Sequence, residues 1–323
     1  MNRRRLGKSD IEVSEISLGC WTLGGLNWVN GTPNGWANVD EEEAIRAIHL
    51  ALDEGVNHFD NADVYGNGRA ERMLAKALAG RSEEVVIATK VGHFPGTAAH
   101  AYEPQHIRHQ CEQSLINLQR DVIDLHYFHH GNFGEGDVYL DDAAEMMHRL
   151  RDEGKIRAIG LSAYSEDDFL RLTPRIDPSA FQSWANAMDD HFIREGSPVH
   201  RLMKERGITF VAFSPVAQGL LLDKYSAKSP PQFEEGDHRR NSPRFSVENL
   251  TKLEPKMAKV RERFGGSVEE LARVAIQYLL ANDTVACAIP GFRNSRQVRV
   301  NLAAEGKPLS EEDVAFLREV FAD

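Results

Sequence analysis

Four side chains of this sequence are of the right kinds to protonate an oxygen: Asp60, Tyr65, Lys90 and His129. Asp60 and Tyr65 bracket the run Asn61–Val64. Lys90 ends the apolar stretch Val85–Thr89, and His129 closes the segment Ile123-Asp124-Leu125-His126-Tyr127-Phe128. A free tyrosine, with a pKa near ~10, gives up protons poorly at neutral pH. A neighbouring lysine cation is expected to lower that value, and an aspartate paired with the lysine would offset the cost of burying it. A histidine beside the tyrosine would hydrogen-bond and polarise a carbonyl. The set contains no activated nucleophile and suits protonation of an oxygen while hydride arrives at carbon.

Three histidines compete for the polarising role. Each strand residue advances about 3.3 Å, so His126 lies roughly 10 Å deeper than His129 and reads as a hydrogen-bonded core residue. His130 points the opposite way from His129, which makes His129 the choice. A metal-dependent lyase or hydrolase is a rival reading, but three histidines without nearby cysteines or a spaced carboxylate pair are a weak metal signature, and no metal site is assigned.

The elements that must position these groups are regular. Strand-like runs fall at Glu15–Cys20, His58–Ala62, Val85–Lys90, Val122–His129, Ile156–Ser162, Ala180–Asn186, Thr209–Ser214 and Ala286–Pro290. Helical runs such as Asp40–Glu54, Arg69–Ala79, Pro104–Gln119, Asp141–Glu153 and Leu250–Phe264 lie between them. Strict alternation predicts parallel βαβ units, and eight of them predict a closed (β/α)8 TIM barrel, with functional groups at the C-terminal strand ends. Arg3–Leu6, Gly7 and Ile11–Val13 predict a hairpin that plugs the barrel bottom. The seventh strand is followed by a long loop, Gly219–Asn249. Its mixed-charge run Glu234–Arg240 reads as solvated, with a lid as the alternative. No Gly-x-Gly-x-x-Gly follows an early strand, so a Rossmann cofactor site is not supported. No linker divides residues 1–323, which read as a single domain.

Composition narrows the partners. The 323 residues carry 49 acidic and 38 basic side chains, a net charge of −11 that argues against nucleic acid and anionic membrane. Cys20, Cys111 and Cys287 form no CxxC pair, as in a reduced cytoplasmic protein. Neither a signal peptide nor a membrane span is expected. Asn30-Gly-Thr32 and Asn249-Leu-Thr251 match a glycosylation sequon without weight in such a setting.

Taken together, these residues resemble the aldo-keto reductase family over nearly the whole chain. The resemblance rests on Asp60-x-x-x-x-Tyr65, Thr89-Lys90, and His129 five residues after Asp124. Gly160-Leu-Ser-Ala163, Phe181-Gln182, Ala212-Phe-Ser-Pro215, Gly219-Leu-Leu and Ile289-Pro-Gly-Phe-Arg293 follow in family order. It implies an NADP(H)-dependent reductase of aldehydes or ketones, with NADPH/NADP+ extended across the barrel mouth and a small carbonyl or alcohol as substrate. Ser162 and Gln182 are then the nicotinamide carboxamide contacts, and Phe213 the ring stacked on the nicotinamide. Ser214, Pro215, Gly219, Leu221 and Lys224 follow the pyrophosphate. Gly291, Arg293, Gln297 and Asn301 form the adenosine end, with Arg293 on the 2′-phosphate, and Trp21 is a substrate-pocket aromatic. Three positions depart from the family pattern: Ala163 where many members carry Asn, Gly291 where one large branch has Lys, and Val300 where that branch has an acidic adenine contact. The alternative is a nicotinamide-binding regulatory subunit resembling potassium-channel β subunits, with little turnover. Substrate specificity is expected in the loops Trp28–Asn38, Gly92–Tyr102 and Gly131–Tyr139; oligomeric state is left open.

Overall fold

The computed structural model describes residues 1–29, 32–81 and 85–322. The chain opens with an antiparallel hairpin, β1 (Arg3–Arg5) and β2 (Glu12–Ser14). β3 (Leu18–Gly19) is the first barrel strand, and a second hairpin follows, β4 (Leu26–Val29) and β5 (Thr32–Gly35). Then α1 (Glu41–Asp53), β6 (His58–Asp60), α2 (Arg69–Ala77), β7 (Val86–Val91), α3 (Pro104–Leu118), β8 (Ile123–Phe128), α4 (Leu140–Asp152) and β9 (Ile156–Ser162) alternate. The alternation continues through α5 (Glu166–Ile176), β10 (Ala180–Trp184), α6 (Pro198–Arg206) and β11 (Thr209–Phe213). Two helices, α7 (Val247–Phe264) and α8 (Val268–Leu280), precede β12 (Val285–Ile289), and α9 (Ser295–Leu302) and α10 (Glu311–Phe321) end the fold.

Eight parallel strands lie in the order β12-β11-β10-β9-β8-β7-β6-β3. The two ends meet: Ser17 N–H donates to the Ala288 carbonyl at 2.9 Å, and Gly19 N–H to Pro290 at 3.1 Å. The sequence pattern therefore led to the right barrel. The first strand is shorter than Glu15–Cys20 because Cys20–Leu23 turns as a 3₁₀ segment over the barrel mouth.

Side-chain alternation sorts each strand into two faces. Val86 and Ala88 on β7 and Leu125 and Tyr127 on β8 belong to the interior cluster, whereas Ile87, Val91 and Phe128 pack under the helices. Gly160 is required on β9, because a Cβ there would lie 2.2 Å from the buried Tyr127 ring. The hairpin closes the bottom as expected: Leu6, Ile11 and Val13 join the interior cluster. Gly7, with φ of +51°, lies against the backbone of Ser179, where a Cβ would not fit.

Helices absent from the most periodic runs announce themselves by their caps. Ser165, Ser197, Ser267 and Ser310 each accept a backbone N–H in the first turn of α5, α6, α8 and α10. The long β11–β12 interval holds both α7 and α8, preceded by an irregular segment that returns over the barrel mouth.

Candidate active site

The interior-facing residues of β6, β7 and β8 carry the chemistry to the mouth. Asp60 shares a face with His58, Lys90 with Ala88, and His129 continues the face of Tyr127. Lys90 is completely buried, and its ammonium donates to Asp60 Oδ1 at 2.5 Å and to the Asn61 carbonyl at 2.7 Å. Desolvating such a cation costs several kcal/mol unless it is paired and hydrogen-bonded, and both conditions hold here. The third neighbour of the ammonium is the Tyr65 hydroxyl at 3.4 Å. The His129 ring stands edge-on to Tyr65, with centroids 5.9 Å apart.

Burial, then the Asp60 carboxylate, hold the Tyr65 phenol well above its ordinary pKa. This corrects the expectation of a depressed value: Lys90 is committed to Asp60, so the pair presents little net charge to the phenol. Tyr65 therefore keeps its proton at neutral pH. Burial also holds His129 neutral, reinforced by His93, Lys90 and His130. Its Nδ1 is buried without a hydrogen-bond partner.

These groups lie in a cleft of about 760 Å³. Asp60, Tyr65 and His129 line it, with Lys90 beneath. Lys224, Arg239, Arg244, Arg293 and Arg296 also line it, a basic concentration in a chain of net charge −11. Ala217, Gln218 and Gly219 have φ of 46°, 57° and 97°, a run of left-handed backbone that turns the chain along the cleft after β11. An elongated, phosphate-bearing molecule fits such a wall, since the concentrated positive charge favours anions. Among the described residues no group of three His, Cys, Asp or Glu is placed to hold a metal.

The family model described as "Aldo/keto reductase family" matches residues 15–322. The chain belongs to the aldo-keto reductase family. It is 28% identical over 98% of its length to the uncharacterized oxidoreductase YqkF of Bacillus subtilis, covering 96% of that protein. It is 29% identical to the aldo-keto reductase yakc [NADP(+)] of Schizosaccharomyces pombe, covering 98% of this chain and 90% of the relative. Among solved structures, the glycerol dehydrogenase of Gluconobacter oxydans superposes with a TM-score of 0.81 at 28% identity, over 99% of this chain and 95% of that one.

In this aldo-keto reductase nearly all the residues singled out from sequence come together. Ser162, Gln182, Phe213, Ser214, Pro215, Gly219, Lys224, Gly291, Arg293, Gln297, Asn301 and Trp21 line the same cleft as Tyr65. Leu221 does not; its side chain packs in the helix-side core, and Leu222 lines the cleft instead. Gln182 donates its amide to Asp60 Oδ2 at 2.7 Å, so it braces the Asp60–Lys90 pair from the strand opposite. Gln297 Oε1 accepts the Arg293 backbone N–H at 2.7 Å, and an Arg293 guanidinium nitrogen donates to the Ala37 carbonyl at 3.2 Å.

The histidines separate by face as well as depth. His126 is fully buried on the helix side of β8, and burial pushes its pKa down to about 4. His130 also points away from the cleft, with Nε2 against the Gly92 carbonyl at 2.7 Å.

Sequence reasoning missed much of the cleft rim. Trp36 meets Trp21 edge-on at 5.8 Å and His238 at 4.5 Å. The Glu234–Arg240 run is not simply solvated: Arg239 pairs with Asp237 at 2.7 Å and lies 4.4 Å from the Trp36 ring and 4.3 Å from Phe233. The loop after β11 is thereby clasped to the segment following β5. His93, Tyr164 and Trp184 complete the rim. Of the three loops expected to set specificity, Trp28–Asn38 and Gly92–Tyr102 reach the cleft through Trp36 and His93, and no described residue of Gly131–Tyr139 lines it; Asn30 and Gly31 lie outside the described residues.

Proposed function

We propose that the chain reduces an aldehyde or ketone to an alcohol, reversibly, with NADPH as hydride donor and Tyr65 as general acid. Carrying this reading is the buried chain Asp60–Lys90–Tyr65 set beside neutral His129 at the cleft floor. When bound, the nicotinamide supplies the hydride. Ser162, Phe213 and the residues after β11 and β12 would hold the cofactor, with the arginine and lysine wall taking its phosphates. Family membership, and the printed NADP(+) of the yakc relative, support that cofactor.

His129 would orient the carbonyl oxygen by hydrogen bonding as a neutral imidazole. As negative charge grows on that oxygen, Tyr65 would transfer its proton, leaving a phenolate beside the Lys90 ammonium. Lys90 thus matters most once Tyr65 is charged, which stabilises the transition state over the ground state. Asp60 and Gln182 would hold the ammonium in place throughout. Residues 1–323 would act as one domain, and the buried, unpaired Cys20, Cys111 and Cys287 suit a reducing cytoplasm.

The test follows loss of NADPH absorbance with a panel of aldehydes and ketones. Wild type should turn over, and Tyr65→Phe should lose about 10²–10⁴-fold in kcat while binding NADPH unchanged. Full turnover by Tyr65→Phe would remove the assignment; NADPH binding without turnover of any carbonyl would favour a regulatory subunit.

A further inference from the structure

His93 lines the cleft and has no part in the chemistry above. It follows β7 by two positions, and Gly92 determines where it stands. Gly92 has φ of +146°, and a Cβ there would lie 2.6 Å from the Tyr102 hydroxyl. That hydroxyl donates to the His130 carbonyl at 2.8 Å, while the His130 ring bonds the Gly92 carbonyl. A rigid corner therefore turns His93 into the cleft, where its ring meets His129 at 4.1 Å, interplanar angle 67°. Tyr65, His129 and His93 form a row running outward from the acid.

Among the described residues no hydrogen bond engages the His93 ring, whereas beside it Asp60 and Lys90 are bonded to each other. Crowding by protein, then His130 and Lys90, push its pKa down to about 4. The imidazole is thus neutral at working pH, with one N–H donor and one acceptor nitrogen. A hydroxyl group has the same pair of capacities.

Charge defines the rest of the substrate end. Lys224, Arg239 and Arg244 follow β11, which stands four strands from β7 in either direction around the barrel. Arg293 and Arg296 follow β12. Lys90 on β7 itself is spent on Asp60 and Asn61, and the other cations among the described residues lining the cleft are those after β11 and β12. Among the described residues a carboxylate or phosphate on the substrate would find no free charged partner on the β7 side, whereas Trp21 and the stacked Tyr164–Trp184 pair, 6.2 Å apart, offer aromatic walls.

We propose that His93 is a specificity-determining residue that reads a hydroxyl on the carbon next to the reacting carbonyl, so that the site favours uncharged hydroxy-aldehydes and hydroxy-ketones. This rests on the reading of Tyr65 and His129 as the groups that receive the carbonyl oxygen. With that oxygen between them, the next carbon outward carries its substituent toward the third ring of the row.

The experiment compares hydroxyacetone with acetone, and glyceraldehyde with propanal, in wild type, His93→Phe and His93→Asn. Hydroxylated carbonyls react faster intrinsically, but that difference cancels when the ratio of kcat/KM values is compared between proteins. His93→Phe keeps the ring shape and should lower the hydroxyl preference about five- to tenfold, mostly through KM, with the deoxy substrates little changed. His93→Asn, which keeps a donor and an acceptor, should recover part of it. An unchanged ratio, or an equal loss on both members of each pair, overturns the role of His93 while leaving carbonyl reduction intact. Failure of wild type to reduce any of the four overturns the proposed activity and this inference with it.

Discussion

Asp63→Asn should make the protein more stable, and increasingly so as pH rises. Asp63 lies in the turn between Asp60 and Tyr65, and its backbone N–H donates to the Lys90 carbonyl at 3.2 Å. Its carboxyl is buried, with Gln110 donating to Oδ2 at 3.1 Å and the Val64 backbone N–H as a further hydrogen-bond donor. Burial raises its pKa from 3.8 to about 7, with Gln110 and Lys90 opposing and the buried Glu71 adding to it. Folded and unfolded states both hold the proton below about pH 4, so the neutral carboxyl costs nothing there. Between about pH 4 and 7 the unfolded chain ionises and the folded chain does not, so stability falls as pH climbs. The full penalty stands above about 7 and amounts to about 4 kcal/mol, at about 1.4 kcal/mol for each tenfold change in proton affinity. Asparagine has the same shape and no charge to lose. The stability gap between variant and wild type should therefore widen by about 2–3 kcal/mol from about pH 5 to about pH 8. Urea unfolding of both proteins at the two pH values measures it. A gap that stays constant, or closes toward alkaline pH, would refute burial as the dominant influence on Asp63.

Two substitutions at the site separate roles. His129→Gln should lower kcat/KM for carbonyl reduction by about tenfold or more with little change in melting temperature. His126→Gln should leave kcat/KM nearly intact and alter stability instead, because it places a polar amide among apolar side chains at a cost of about 1–3 kcal/mol; steady-state kinetics and thermal melts on both variants decide between them. Arg293→Ala should weaken NADPH about ten- to a hundredfold and leave NADH within about twofold. Titration of both cofactors checks this, with Arg296→Ala as the comparison. A phosphate-specific loss only in Arg296→Ala would move the 2′-phosphate to that arginine.

Local chemistry made the barrel legible. Short β-branched runs alternate with amphipathic ones because each strand is covered by a helix, and that pattern survives in one dimension. Asp60, Tyr65 and Lys90 could be read for the same reason: each sits at a strand end, where the register sends interior-facing side chains to the mouth. His129 could have been chosen on parity alone, since it shares a face with Leu125 and Tyr127 while His126 faces the helices. The serine caps of α5, α6, α8 and α10 were equally local signals.

Other features depend on distance in space. The pKa of Tyr65 turned on how deeply the phenol is buried beside the Asp60 carboxylate, which no spacing reveals. Leu221 and Leu222 are neighbours of the same type, and only the turn after β11 decides which of them reaches the cleft. Arg239 reads as a loop charge until Trp36, some two hundred positions earlier in the chain, is seen beneath its guanidinium. His93 is one histidine among 13, distinguished by a glycine corner and by Tyr102 and His130, which hold that corner from two other elements. Strand periodicity and strand-end chemistry are written residue by residue, so the sequence alone determined the barrel and the strand-end residues Asp60, Tyr65 and Lys90. Burial, charge compensation and the cleft rim arise from side chains that meet only when the barrel closes, and those the tertiary structure decided.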